Sequence, residues 1–353
     1  MTFLDNLTRS FMWRPAGCAG SLADPGLAPA LTAKWEVTAA LTGQAQSRHP
    51  LTVVELAGGK VVGDLRLVAT RQDVVIGGLQ SIFGCAEPQS HYLLKRRRLR
   101  LPKYRQGTAL LLGTNNGDNY YHWLLENLPR WKMWQAAQLP PVDFVLLPAQ
   151  PTRFQEETLD RLQVPGVRLL RCAKHLVHQF ERLVVPAMPF PMEEVAPWAC
   201  AWVRSLFPGK SSGPEKLYLS RGAGRRRLVN EPELEQALVA QGFSVVHTGQ
   251  MSVAEQAVLF GSARCVVAPH GAALTNLIFA PPGTALVELF HPQHKNLCYI
   301  NLAAACGHRY ASLDGRPVNR PGDDGLAYAI DIGAVIETLK RELGRDLCPN
   351  QET

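Results

Sequence analysis

The chain has 353 residues, with 37 Lys and Arg against 30 Asp and Glu, a formal charge of +7, and 46% hydrophobic residues. That length is too great for one small core and suits two domains of ordinary size, and the apolar share is enough for a sizeable interior. No run of about 18 apolar residues occurs, which argues against a membrane span.

Met1 to Trp13 carries Asp5 and Arg9 and lacks a clean apolar stretch and a small-residue cleavage site, so no signal peptide is expected. From Leu51 to Ile82, short apolar runs are broken by glycine and charge: Thr52-Val-Val-Glu-Leu, Lys60-Val-Val-Gly and Asp73-Val-Val-Ile. They predict β-strands joined by tight turns. Ala109-Leu-Leu-Leu-Gly predicts another strand. Asn119 to Gln138 predicts a helix, with Trp123, Leu124, Leu128, Trp131 and Trp134 at roughly helical spacing. Strands follow at Phe144 and Val167 with a helix from Thr152 to Leu162 between them, and a further strand lies at Leu183. Pro186 to Pro197 holds four prolines and no period, so it reads as the interdomain connection.

Beyond it, Trp198 to Phe207 predicts a helix and Lys216-Leu-Tyr-Leu-Ser a strand. Glu231 to Gln241 predicts a helix with acidic residues in its first turn, and Phe243-Ser-Val-Val a strand. Ser252 caps the next helix, with Glu255 in the capping-box position. Cys265 to Ala268 is a buried parallel strand that Pro269 ends; Gly271 allows a tight turn, and Ala272 to Phe279 starts a helix. Thr284 to Phe290 is the next strand. A Gly/Pro/Asp-rich loop at Asp314 to Gly325 precedes a last helix at Ile332 to Leu343. Alternating strands and helices predict doubly wound parallel sheets. The expected division is 1–190 and 191–330, with residues 331–353 returning to the first domain.

The eight cysteines are scattered, without CxxC or a zinc-like pairing with histidine, and several lie in apolar runs as small hydrophobes. A reducing, cytoplasmic setting follows. The positive charge is concentrated at Lys95 to Arg100 with Lys103 and Arg105, and at Arg221 with Arg225, Arg226 and Arg227. Such blocks bind anions or are simply solvated loops. Neither has interleaved aromatics or a nucleic-acid module, so nucleic acid is not an expected partner.

Three constellations can carry chemistry. In Asn119-Tyr-Tyr-His-Trp-Leu-Leu-Glu-Asn-Leu-Pro-Arg130, His122 and Glu126 share one helix face. The loop before it, Gly113 to Asp118, follows a strand's carboxyl end, where doubly wound sheets bind ligands. His122 in a first helical turn suits a general base that Glu126 orients, or Glu126 takes the proton itself. A surface pair over a tryptophan-rich face, or two of a metal's ligands without a third, are the other readings.

In Leu217-Tyr-Leu-Ser-Arg-Gly-Ala-Gly-Arg-Arg-Arg, a strand delivers Ser220 and Arg221 to its end and a Gly-rich loop adds arginines. Arginine's planar fork suits phosphate, whereas a flexible basic loop is the plainer reading. The dinucleotide fingerprint fails, because Arg227 stands at its third glycine. The turn at Pro269 to Asn276 points backbone N–H groups at whatever sits beyond the strand, which suits a nucleotide phosphate or only permits close packing. Glu288 ends the following strand, where an acidic residue often accepts ribose hydroxyls.

Together these motifs (Asn119-Tyr-Tyr-His-Trp-Leu-Leu-Glu-x-Leu-Pro-Arg, Tyr218-Leu-Ser-Arg, Arg226-Arg-x-x-Asn-Glu, Pro269-His-Gly-Ala-x-Leu-Thr-Asn, Pro282-Gly and Val287-Glu) resemble glycosyltransferase family 61, whose bacterial members are often labelled capsular polysaccharide biosynthesis proteins. The resemblance covers about residues 108 to 292, and residues 1–50 and those after about 310 carry none of it. It implies an α/β, GT-B-like inverting transferase with two Rossmann-like domains facing across a cleft. Its donor would be a nucleotide sugar and its acceptor a glycan or lipid-linked hydroxyl.

Carried over, it assigns Ser220, Arg221, Arg226 and Arg227 to the diphosphate. His270, Gly271 and Ala272 form the nucleotide cradle, with Thr275 and Asn276 on its helix. Glu288 contacts ribose or sugar. His122 with Glu126 is the acceptor-side base, flanked by Asn119, Trp123 and Arg130. Without an Asp-x-Asp pair, no metal and no separate cofactor are expected. The basic block suggests peripheral contact with an anionic membrane on its cytoplasmic face. A non-catalytic carbohydrate-binding subunit and a Rossmann-type nucleotide-sugar-modifying enzyme are the rival readings.

Overall fold

The computed structural model describes residues 17–19, 31–43, 50–65, 67–76, 79, 100–163, 166–174, 176–191, 194–209, 211–222, 226–318 and 326–344. Most of the first basic block, residues 95–99, and Arg225 lie outside these residues. The chain divides into two units, Met1–Met192 and Glu193–Thr353.

In the first unit, β1 (Gly17–Ala19), β2 (Ala33–Glu36), β3 (Thr52–Ala57), β4 (Lys60–Val62), β5 (Leu67–Ala69), β6 (Val74–Ile76), β7 (Lys103–Leu111), β8 (Phe144–Pro148), β9 (Arg168–Cys172) and β10 (Val177–Pro186) form one sheet. Four neighbouring strands are parallel, in the spatial order β10-β7-β8-β9, and at the other end β1 pairs parallel with β6. Strands β3 and β4 pair antiparallel with β10, and β2, β5 and β6 continue that antiparallel half. A doubly wound parallel sheet therefore describes only half of this unit. The connections decide it: two residues join β3 to β4, and four join β4 to β5 and β5 to β6. Links that short make hairpins, because a parallel crossover needs a dozen residues or more.

A short helix, α1 (Thr38–Thr42), precedes β3. The continuous helix expected from Asn119 to Gln138 is instead a π-helical turn, His122–Asn127, followed by α2 (Pro129–Ala136). Leu128 N donates to Trp123 O at 2.8 Å, five residues back. Pro129 has no N–H, and its ring crowds the carbonyl four residues before it, so the turn widens ahead of it. Helix α3 (Arg153–Arg161) starts on a capping box of Thr152 and Gln155.

The second unit opens with α4 (Pro197–Ser205). It continues through β11 (Lys216–Leu219), α5 (Glu231–Val239), β12 (Ser244–Val246), α6 (Val253–Phe260) and β13 (Cys265–Pro269). A 3₁₀ turn (Ala272–Phe279), β14 (Ala285–Phe290), α7 (Cys298–Cys306) and β15 (Arg309–Asp314) follow. The hairpin β16 (Arg316–Pro317) and β17 (Tyr328–Ala329) and then α8 (Ile332–Gly344) complete it. The five strands β12-β11-β13-β14-β15 are all parallel. Counted within the unit the order is 2-1-3-4-5, a doubly wound sheet whose winding reverses between β11 and β13.

Three expectations change here. The segment after Gly271 is 3₁₀ rather than α-helical: Leu274 N bonds Gly271 O at 3.0 Å and Ala280 N bonds Leu277 O at 3.0 Å, both three residues back. Leu274 to Phe279 are all buried, so no exposed face favours an amphipathic helix. Helix α8, expected to join the first domain, packs in the core of the second unit. Its Val335 and Leu339 join the core of Tyr218, Leu234 and Val287, a burial that its apolar stripe requires. Helix α7 and strand β15 were not expected from the sequence, and together they extend the parallel sheet by one βα unit. The Ser252–Glu255 capping box forms as its spacing predicts, with Glu255 N bonded to Ser252 Oγ at 3.1 Å.

Candidate functional site

In the second unit, β11, β12 and β13 end around a cavity of about 480 Å³. It is lined by Leu219 to Arg221, by His247 to Gln250, and by Pro269 with Gly271 to Ala273. This is the place where the strand order reverses, where the carboxyl ends of neighbouring strands part and leave a crevice. Glu231, at the start of α5, organises the β11 side of it. Its Oε1 accepts from Tyr218 OH at 2.9 Å, Ser220 Oγ at 3.3 Å and Arg221 N at 2.9 Å. Burial, reinforced by Glu231, pushes the Tyr218 hydroxyl far above its ordinary value and keeps it a donor.

Arg221 crosses to the β13 side, where Nη1 donates to the carbonyl of His270. A Cβ on residue 271 would lie 2.8 Å from that Nη1, so glycine is what lets the guanidinium approach. The His270 ring is then held on several sides. Its Nδ1 lies 2.6 Å from Glu288 Oε1, and Glu288 Oε2 accepts from Tyr310 OH at 2.8 Å. Phe290 stacks on the ring at 5.2 Å, with Tyr299 at 5.3 Å and His294 at 5.6 Å set edgewise. Burial and the nearby Arg226, His270, Arg221 and His291 push His294 below its ordinary value.

In the first unit, β7 delivers the loop from Gly113 to Asp118 to the sheet's carboxyl edge, again beside the strand where the parallel order reverses. His122 Nδ1 lies 2.8 Å from Glu126 Oε1, both on the π-helical turn. Glu126 is buried, and among the described residues its Oε2 has no hydrogen-bond partner. Asn127, fully buried, ties the loop to the turn. Its Oδ1 accepts from Thr114 N and its Nδ2 donates to His122 O at 2.6 Å.

The candidate residues therefore separate into those at a surface or cavity and those beneath it. Ser220, Arg221, Gly271 and Ala272 line the cavity. Arg226 is half-buried and Arg227 exposed nearby in sequence, while Asn119 is exposed ahead of the π-helical turn. Others are interior, contrary to expectation. Glu288 is 0% exposed with both oxygens engaged by His270 and Tyr310, so it cannot reach a ribose. Thr275 and Asn276 are fully buried, and Asn276 Nδ2 bonds Gln256 Oε1 at 2.5 Å, which ties the 3₁₀ turn to α6. Trp123 is buried with Nε1 donating to Thr158 Oγ1 at 2.8 Å. Arg130 is buried and donates to the carbonyls of Pro186, Leu112, Gly113 and Leu79. Its pKa is lowered to about 9 by burial, against the pull of Glu126. Trp123 and Arg130 thus build the support under the turn rather than a face for an acceptor.

Residues 120–287 match the Glycosyltransferase 61 family model. Over these residues, just under half of its length, the chain resembles glycosyltransferase family 61. A stretch of 111 residues is also 32% identical to the EGF domain-specific O-linked N-acetylglucosamine transferase of Drosophila melanogaster. That alignment covers 31% of this chain and about a fifth (21%) of the length of that relative.

The family 61 segment holds both histidine turns and Ser220 and Arg221, but it stops before Glu288, the partner of His270. Four contributors went unread in the sequence. Glu231 has a place in the sequence as first-turn acid and as the end of the Arg226-Arg-x-x-Asn-Glu motif but no role, Asn127 stands at a variable motif position, and Tyr310 lies on the unexpected β15. The His247–Gln250 loop carries no motif, though its place after a strand was a usable signal. Among the described residues, no group of three His, Cys, Asp or Glu is placed to hold a metal ion. Cys172, Cys200, Cys265, Cys298 and Cys306 are free and buried. No helix among the described residues is long and apolar enough to cross a membrane.

Proposed function

We propose that the chain moves a sugar from a nucleotide-sugar donor to a hydroxyl of a glycan or lipid-linked acceptor, with inversion at the sugar. One observation carries the reading: within the family 61 segment, Ser220, Arg221 and the Gly271 turn line a cavity at the reversal point of a parallel sheet. Such crevices take nucleotides, and a turn of free backbone N–H groups beside a guanidinium suits a diphosphate. The Drosophila relative, named as an O-linked N-acetylglucosamine transferase, supports a hydroxyl oxygen as the acceptor atom.

In this reading the second unit binds the donor and the first supplies the base, a division of tasks in the manner of the GT-B class. His122 Nε2 removes the proton of the acceptor hydroxyl while the Glu126 carboxylate, 2.8 Å from Nδ1, offsets the charge that the ring gains. The acceptor oxygen forms its bond to the anomeric carbon from the face opposite the nucleotide. The carbon–oxygen bond to the diphosphate breaks, and its electron pair leaves with the nucleoside diphosphate. Arg221, the backbone N–H groups after Gly271 and, from the neighbouring loop, Arg226 and Arg227 stabilise the charge that gathers there without a metal. Capsular or other surface polysaccharide is the proposed product. The cytoplasmic face of the membrane, reached through the basic residues at Lys103 and Arg105, is the proposed place of work.

Thermal denaturation with a panel of nucleoside diphosphates and nucleotide sugars tests the reading. A ligand at 100 times its dissociation constant stabilises by about 2.7 kcal/mol. The expected result is a rise for one nucleotide and its sugar conjugate, followed by slow release of free sugar from that conjugate. A panel without any rise contradicts the proposal.

A further inference from the structure

We propose that the loop His247–Gln250 holds the nucleoside half of the donor, with the base lying flat on the His247 ring. The inference rests on the reading of the second unit as the nucleotide site, and adds where and by what groups the nucleoside is held.

The cavity has two unlike ends. Between β11 and β13 it meets Arg221 and the turn from Gly271 to Ala273, a guanidinium beside the first N–H groups of a 3₁₀ turn. That end suits a diphosphate. At the other end it meets His247, Thr248, Gly249 and Gln250, which follow β12 directly. A diphosphate alone does not account for the space. The volume of about 480 Å³ lies in the range of sites for whole organic ligands, about 300–1,000 Å³.

From the diphosphate the cavity extends one way. None of its described lining residues belongs to β14. On that side His270 turns its ring to Glu288, Phe290 and Tyr299, and packed side chains fill the space. The rest of the ligand therefore lies toward β12. A transferred sugar must leave one face of its anomeric carbon open to the attacking hydroxyl. The half enclosed among three strand ends of one unit is thus the nucleoside.

The loop has the chemistry for that half. Ser220 N donates to Val246 O at 3.0 Å, so β11 and β12 stay joined up to the rim and His247 stands at the cavity wall. His247 is exposed, and among the described residues its ring has no hydrogen bond and no ring contact. A flat ring free at a cavity wall is a platform for a base, because every base has a π face. Gly249 leaves the wall open, since a Cβ there would meet no atom within 4 Å. Thr248 and Gln250 add a hydroxyl and an amide, uncharged groups that can read the polar edge of a base.

Titration calorimetry of the full chain with inorganic pyrophosphate and with uridine, guanosine, adenosine, cytidine and thymidine diphosphates tests this. Pyrophosphate reads the Arg221 end alone, whereas a nucleoside diphosphate reads both ends. The expected result is one nucleoside diphosphate that binds at least about tenfold more tightly than pyrophosphate. In His247→Ala that advantage shrinks about tenfold while pyrophosphate binds as before. In His247→Phe, which keeps a flat ring, most of the advantage returns. His247 is exposed, so neither variant disturbs the core, and unchanged unfolding midpoints check that. Four results overturn the inference and leave the nucleotide site standing: nucleoside diphosphates no tighter than pyrophosphate, an advantage that survives His247→Ala, a loss that pyrophosphate shares equally, or a His247→Phe protein no better than His247→Ala. If neither pyrophosphate nor any nucleoside diphosphate binds, the nucleotide site itself falls and the inference with it.

Discussion

The two histidine–carboxylate pairs are alike in separation, but only His270–Glu288 has hydrogen-bond geometry, and they are unlike in what holds them. His122 and Glu126 meet at 2.8 Å along one π-helical turn, and the histidine side chain is 20% exposed. His270 and Glu288 meet at 2.6 Å from neighbouring strands, and the glutamate is 0% exposed with a tyrosine on its second oxygen. The first pair is local and stands at the edge of its sheet. The second is part of a core. A carboxylate that only orients a base can be exchanged at little cost to the fold, whereas one that is buried with two partners makes fold and chemistry inseparable.

Substitutions at each pair sharpen that contrast. The largest effect is expected in the first unit: His122→Ala should lower transfer about 10²–10⁴-fold, as loss of a general base does, with nucleoside diphosphate affinity unchanged. Rates and a binding titration on the same preparation check it, and a parallel loss of affinity would merge the tasks of the two pairs.

Next, Glu288→Leu strands a buried partner and should destabilise by about 3–5 kcal/mol, whereas Glu126→Gln should cost only about 1 kcal/mol. Urea unfolding compares them, and equal losses would erase the distinction between core and edge. Gly271→Ala places a Cβ 2.8 Å from Arg221 Nη1. Loss of that charged hydrogen bond, about 1.5 kcal/mol, should weaken diphosphate binding about tenfold.

His178 serves as a control that has no carboxylate. It is buried, both ring nitrogens lack partners among the described residues, and it stacks on Phe180. Burial first, then Arg105 and Lys103, pushes its pKa down from 6.5 to about 4. A folded value below the unfolded one means that the unfolded chain takes up the proton first. Stability should therefore fall as pH drops from 6.5 toward about 4 and level off below, with no effect at neutral pH. Unfolding midpoints across that range should flatten in His178→Gln.

The same contrast explains what the sequence could convey. His122 and Glu126 are four residues apart, and any helix-like turn brings them together, so spacing alone suffices. The Cys265–Pro269 strand and its glycine turn are equally local, as is the Ser252–Glu255 box. The role of Glu288 depends on register and on a further strand. Ala268 pairs with Glu288 in the sheet, which sets His270 just beyond it, and Tyr310 comes from β15. That strand, Arg309-Tyr-Ala-Ser-Leu-Asp, is only half-buried and lacks the continuous apolar run that reveals β13 and β14. An acidic residue at a strand end looks the same in sequence whether it meets a ribose or a histidine. Arg130 misled for a related reason, since a motif arginine can reach a ligand or brace four carbonyls, and only the fold decides. The antiparallel half of the first sheet was legible in its tight turns, and only the global pattern of alternation obscured it.

Hydrogen–deuterium exchange of the full chain, with and without the nucleoside diphosphate that binds, tests the central claim most directly. The account predicts protection at residues 219–221, 247–250 and 269–273, the walls of the cavity, and none at 114–127. Protection centred on 114–127, or absent from the cavity walls while the nucleotide is bound, would contradict it.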